Sequence, residues 1–122
     1  MRWARLTWFK EHGYDKVHPE DRVHLEPGIQ GQLVKMCGAE DSWQRVKWGN
    51  TEVRVHHSLL EETPSPRFDY GARVKAIPPR TPVVGEIVSI RWHFKREEPF
   101  YFLSVNGKTK GSQYWTNELN DA

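Results

Sequence analysis

Hydrophobic and polar residues alternate along this chain in short stretches, and glycine or proline interrupts them about every eight to twelve residues. That rhythm predicts an all-β fold of short strands closed into small barrels, because an open sheet of this size would leave exposed edges. In the first half, "RWARLTWF" (2–9) reads as a strand, "GQLVKM" (31–36) begins another, and "QRVKWGNTEVRV" (44–55) reads as a hairpin around Gly49-Asn50. "HSLLEE" (57–62) follows. The second half repeats this order in degenerate form: "GEIVSI" (85–90), then "FLSVNGKTKGSQYW" (102–115) with its Asn106-Gly107 turn, then "TNELND" (116–121). Asn-Gly favours positive φ at both central positions and so suits a type I′ turn. Capping-type residues just before leucine, Ser58 and Asn117, predict a single 3₁₀ turn near the end of each half.

Proline marks the boundaries. Thr63-Pro64-Ser65-Pro66 breaks both ladder and helix, which sets a linker at 64–67 between units at 1–63 and 68–122. "IPPRTP" (77–82) forms a rigid loop between the first two strands of the second unit. "HPEDRVHLEP" (18–27) is read as a short helical turn in preference to a strand, with Pro19 first and acids in its first turn. The second 3₁₀ turn is expected to end at about Leu119, leaving too few residues for a fifth strand. The N-terminal segment is therefore expected to be an integral strand that opens the first barrel or closes the second, burying Trp3 or Trp8.

The stretch "RWHFKREEPFYF" (91–102) departs from a clean pattern, because aromatic residues fall on both faces of its second arm. Strict alternation puts Val88, Ile90, Trp92 and Phe94 in the core, with Tyr101, Leu103 and Val105 on the returning strand. The opposite face then carries Ser89, Arg91, His93 and Lys95 beside Phe100, Phe102 and Ser104, joined by the tip Arg96-Glu97-Glu98-Pro99. Such a mixed cationic and aromatic strip needs a cover. The other half of the chain, a ligand or a second copy could each supply it.

Composition narrows the class. The chain has 122 residues and 37% hydrophobic content, with six Trp, four Tyr and five Phe to bury area. No apolar run approaches the roughly 20 residues of a membrane span, and Met1-Arg2-Trp3-Ala4-Arg5 has no signal-peptide pattern. Cys37 is alone, so no intrachain disulfide forms and a cytoplasmic setting is expected. The net charge of +2 is too small to imply nucleic acid. Residues 1–67 carry ten Lys/Arg and ten Asp/Glu, whereas Arg73 to Gln113 carry eight basic residues against three acidic ones. The second half presents a modest positive surface.

Residues 68–119, with "YGARVKAI", "VVGEIVSIRWHFK", "FYFLSVNGKTK" and "YWTNEL", resemble the C-terminal signature of a family of small, functionally uncharacterised bacterial proteins. There a Gly-x-x-Val strand, a Trp-His-Phe-Lys strand, a Phe-Tyr strand and a Val-Asn-Gly-Lys turn occur in order. The pattern is also similar to SH3-like, Tudor-like and KOW-like barrels. This chain has Gly111-Ser112-Gln113 where a basic pair would follow the turn, which weakens an anion site there. The resemblance implies a bacterial protein of two tandem SH3-like small β-barrels packed together, with short 3₁₀ or helical turns. It implies no activity.

Candidate chemistry is sparse. His56 and His57 are adjacent and expected on opposite faces of a strand, and His12, His18 and His24 stand six apart, which matches no common zinc spacing. Cys37, expected just after a strand, has no nucleophile signature around it, and Glu61-Glu62 and Glu97-Glu98 read as solvated charge. No phosphate loop or hydrolase motif is present. No catalytic, cofactor or metal residue is assigned. Trp48 and Trp115 are expected between the repeats, and an aromatic cage could recruit Trp43, Trp115 and Tyr101.

The expected function is a non-catalytic module that binds a protein or peptide through Arg91, His93, Lys95, Phe100, Phe102 and Trp115. Nucleic-acid binding of Tudor or KOW type is the alternative, and an obligate subunit or immunity-type partner is a third reading. Monomer and homodimer both fit.

Overall fold

The computed structural model describes residues 2–25 and 29–122, without the His12 side chain, and divides into two units, Met1–Ser65 and Pro66–Ala122. The first unit contains β1 (Trp3–Leu6), β2 (Leu33–Glu40), β3 (Trp43–Trp48), β4 (Thr51–Val55) and β5 (Leu60–Thr63). They form one antiparallel sheet in the order β4-β3-β2-β1-β5. A 3₁₀ turn at His57–Leu59 separates β4 from β5, which lies beside β1 at the other end of the strand order. The N-terminal segment is thus the opening strand of the first unit, paired on both edges. Ala4, Leu6, Trp8, Val34, Val46, Val53, Val55 and Leu59 point into a shared core with Val17 and Leu25.

Turn chemistry sets the first hairpin. At Gly49-Asn50 only Gly49 has positive φ (57°), the pattern of a type II′ turn with glycine at its first central position. Strand β2 runs further than the pattern suggested, to Glu40, because a bulge between Met36 and Gly38 absorbs Cys37. Cys37 therefore lies within a strand, half-buried, rather than after one.

The open edge of β4 is covered by the segment before Pro19. The His18 N–H donates to Arg54 O (2.9 Å), the His56 N–H donates to Lys16 O (2.7 Å), and Val17 bridges Val55. A 3₁₀ helix over Pro19–His24 then places Asp21, whose carboxylate accepts from both the backbone and the guanidinium of Arg54 at 2.8 Å. Covering an edge in this way removes a template for aggregation. The helical reading of this segment holds for 19–24; residues 26 and 27 of the same stretch lie outside the described residues.

Asp21 also makes a pH prediction. Hydrogen bonds from Arg54 hold its carboxyl below the ordinary range, against burial, which pushes it up. In the unfolded chain it titrates near its ordinary value, about 3.9. Its contribution is therefore present above that value and lost as the pH falls through the lower, folded one. Thermal unfolding followed from neutral to acidic pH should show a smaller acid-induced fall in Tm for Asp21→Asn than for the parent. An unchanged acid limb would assign the loss to other carboxylates.

The second unit contains β6 (Arg73–Ala76), β7 (Val84–His93), β8 (Glu98–Val105), β9 (Lys108–Thr109), β10 (Tyr114–Trp115) and β11 (Leu119–Asp121). Its path is β10-β8-β7-β6-β11, with β9 paired to β8. A 3₁₀ turn at Thr116–Glu118 precedes β11, just as one precedes β5. Here the expectation of too few residues for a last strand is corrected. Leu119, Asn120 and Asp121 pair with Ala76, Lys75 and Val74, and three residues suffice because β6 has only four. The Asn106-Gly107 turn has positive φ at both positions (52° and 78°), as type I′ requires.

Strand β7 also corrects the alternation. Ile87 pairs with Leu103 and Ser89 with Phe102, so Val88 is the extra residue of a bulge. A bulge shifts the phase of alternation by one. Ile87 and Ile90 are buried, whereas Val88 is 41% exposed, Trp92 is half-buried and Phe94, in the hairpin turn, is 53% exposed. Tyr101 and Leu103 face inward as expected, with Phe68, Val74, Ala76, Tyr114 and Leu119, while Val105 is only half-buried. Gly85 is required by close approach, since a Cβ there would lie 2.5 Å from the Ser104 carbonyl oxygen. Among the described residues no helix is long and apolar enough to cross a membrane.

Candidate functional site on the outer face of the second sheet

Register assembles the site. Phe100 in β8 stands opposite Arg91 in β7 and opposite Trp115 in β10, so the three side chains form a row on one face. Phe102 stands opposite Ser89, and His93 opposite Glu98. The rings meet edge to face: His93–Trp115 at 5.2 Å, Phe100–Trp115 and Phe100–Phe102 at 5.8 Å, and His93–Phe100 at 6.1 Å. Such edge-to-face pairs suit the ring quadrupole. Phe100, Phe102, His93 and Trp115 are all half-buried.

The four-residue turn 94–97 brings cations to one end of the cluster. Glu97 takes positive φ (51°), and the Arg96 N–H donates to His93 Nδ1 at 3.1 Å. That bond turns Arg96 back over the sheet, where its guanidinium carbon lies 3.7 Å from the centroid of the Trp115 ring. Glu98 Oε2 is 3.5 Å from Arg96 Nε. Lys95 is exposed in the same turn.

Trp115 is held from the other side as well. Its backbone N–H donates to Glu118 Oε1 (2.9 Å), which also accepts from Arg80 Nη1 (2.9 Å), and Arg80 lies over the Tyr114 ring at 4.1 Å. Burial pushes the Glu118 carboxyl up, but the Trp115 N–H, the Arg80 guanidinium and the charge of Arg96 outweigh it and hold it below its ordinary value. The carboxylate therefore stays ionised at neutral pH, and the clamp on Trp115 stays closed.

Four of the expected surface residues, His93, Phe100, Phe102 and Trp115, are thus brought into one cluster, with Arg91 in register beside it. Lys95 contributes charge from the turn rather than from the strand face. The sequence reading missed Arg96, assigned to the tip, together with Arg80 and Glu118. A count of turn residues could have placed Arg96 near the rings; nothing local indicates the Arg80–Glu118 clamp, whose members are 38 residues apart.

The other candidates resolve into structural roles. His56 and His57 do not lie on opposite faces of a strand. Their rings are 4.3 Å apart, and His56 Nδ1 accepts the Ser58 N–H at 3.2 Å as the cap of the 3₁₀ turn. His18 caps the Pro19–His24 helix by accepting the Glu20 N–H, and packs against Trp43 at 5.2 Å. Among the described residues no three His, Cys, Asp or Glu side chains are grouped to hold a metal ion. Glu61 pairs with Arg5 and Glu62 with Arg2, so these neighbours act separately. Tyr101 has no exposed surface and cannot join an aromatic cage, and Trp48 packs against the core of its own unit.

The first unit has a cavity of about 310 Å³ lined by Thr7, Trp8, Gly13, Asp15, Lys16, Ser58 and Leu59. Its Thr7 hydroxyl and Trp8 N–H already donate to Leu59 O and Gly13 O. The Ser58 hydroxyl is 2.8 Å from His56 Nδ1, yet the same nitrogen accepts the Ser58 N–H, which is the geometry of a cap.

Residues 1–120 match the family model of a family of unknown function, DUF6960. No curated protein and no solved structure matches the chain.

Proposed function

The chain belongs to this family of unknown function, and we propose that it is a non-catalytic interaction module of two SH3-like units that takes a protein or peptide partner on the outer face of its second sheet. The SH3-like reading is supported by strand order: in each unit the first strand lies beside the last, with a 3₁₀ turn just before the last. One observation carries the docking surface. A cluster of half-buried rings, with a guanidinium stacked on Trp115, stands on a sheet face instead of in a core. Aromatic and arginine anchors of this kind dominate the energetics of protein interfaces. A lone cysteine agrees with a cytoplasmic protein.

Selection of a displayed peptide library on the full chain tests the reading. Enriched peptides should lose about tenfold or more in affinity to Trp115→Ala, as truncation of an interface anchor does. Their affinity should fall with salt far less steeply than that of a phosphate backbone, which engages many cations at once. Peptides that bind parent and Trp115→Ala alike would remove the surface from the proposal. Oligothymidylate that outcompetes them, with affinity falling steeply as salt rises, would transfer the function to nucleic acid.

A further inference from the structure

We infer that the segment this surface takes is acidic, and that Arg96 with Lys95 reads its carboxylates. The inference rests on the outer face being the docking surface and names the chemistry of its occupant.

An aromatic surface commonly receives a cation, and the open face of a tryptophan is the best such acceptor. Here that face is already filled, with the Arg96 guanidinium 3.7 Å from the centroid of Trp115. A lysine or methylated ammonium group approaching the ring would have to displace Arg96 and would meet the positive charge of Lys95 in the same turn. An anion meets the opposite situation. Stacking uses the flat face of the guanidinium and leaves its in-plane N–H donors available, in the fork geometry that matches a carboxylate. The existing pair with Glu98 is long, 3.5 Å from Nε, and an incoming carboxylate can replace or share it. The Arg96 N–H bond to His93 Nδ1 holds the turn that presents both cations, so the site is organised before the partner arrives.

Charge also separates an acidic peptide from a nucleic acid. Residues 66–122 carry nine Lys/Arg and six Asp/Glu, a surplus of three. Arg80 is taken up by Glu118, and Arg96 already has a carboxylate nearby. A phosphate backbone is held by many cations along a track, whereas this turn sets only Lys95 and Arg96 beside the apolar rings, with Glu97 in the same turn. That arrangement fits a short segment with one or two carboxylates next to a hydrophobic side chain, which would lie against Phe100 and Phe102.

Fluorescence anisotropy on the full chain tests the inference with three labelled probes: Asp-Asp-Phe-Asp-Asp, Lys-Lys-Phe-Lys-Lys and oligothymidylate. The acidic peptide should bind about tenfold or more tighter than the lysine peptide, a preference opposite charges at a partly desolvated surface can supply. Arg96→Glu should abolish the preference, and Arg96→Lys should retain part of it because the charge remains while the planar stack is lost. Lys95→Glu provides a second reading in case Arg96→Glu disturbs the turn, since Lys95 makes no ring contact among the described residues. Lys95→Glu should keep the parent's melting temperature. The inference is overturned if the lysine peptide binds as well as the acidic one, if neither charge reversal matters, if no acidic binding is detectable, or if oligothymidylate binds best. Trp115-dependent peptides of neutral or basic composition from the library selection would leave the docking surface standing and remove only its acidic preference. A library without Trp115-dependent peptides would remove both.

Discussion

Deletion of residues 1–10 is expected to abolish cooperative folding of the first unit. Termini are usually dispensable, but this one is the central connection of a sheet. Strand β1 pairs with β2 through Trp3, Ala4 and Arg5, and with β5 through Trp3 to Leu6. Without it β5 has no neighbour in the sheet. The core also loses Ala4, Leu6 and Trp8, each no more than 1% exposed. Truncating a buried tryptophan alone costs about 3–5 kcal/mol, and a unit of this length has only about 3–10 kcal/mol in total at typical stability per residue. Circular dichroism and amide exchange on the truncated chain should show the exchange protection of β2 to β5 lost. A cooperative melt of the first unit at the parent's temperature would show that β1 is dispensable.

Tyr101→Ala should be the most damaging single substitution in the second unit's hairpin, at about 3–5 kcal/mol, the cost of emptying a large aromatic site. Tyr101 has no exposed surface, stands in register between Ile90 and Tyr114, and meets Phe68 edge to face at 5.6 Å. Trp92→Ala supplies the contrast. Alternation alone makes Trp92 a core residue, but it is half-buried and pairs with Pro99 near the hairpin end, so its loss should cost clearly less. Urea unfolding followed by amide exchange in β7 and β8 separates the two. Equal costs would mean that Trp92 is packed as tightly as Tyr101 despite its place near the hairpin end.

Much of this architecture is legible in local signals. The Asn106-Gly107 turn requires positive φ at two positions, and few dipeptides other than Asn-Gly supply it. Proline at 19 with acids behind it specifies a helical turn. The strip of His93, Phe100 and Phe102 is legible for the same reason, because residues two apart on a strand share a face whatever lies around them.

The departures have one cause in common. Whether Val88 faces inward depends on where β8 pairs with β7, and the bulge that turns it out is a property of two strands. Leu119 to Asp121 look too short to be a strand until β6 is found to be only four residues long and lying beside them. Arg96 reads as a solvated turn residue until β10, almost twenty residues later, carries Trp115 beneath it. Periodicity and turn chemistry act between near neighbours and are written in the order of the residues. Register, bulges and the stacking of a guanidinium on a ring are settled by pairing across the chain, where the energy of contact outweighs local preference.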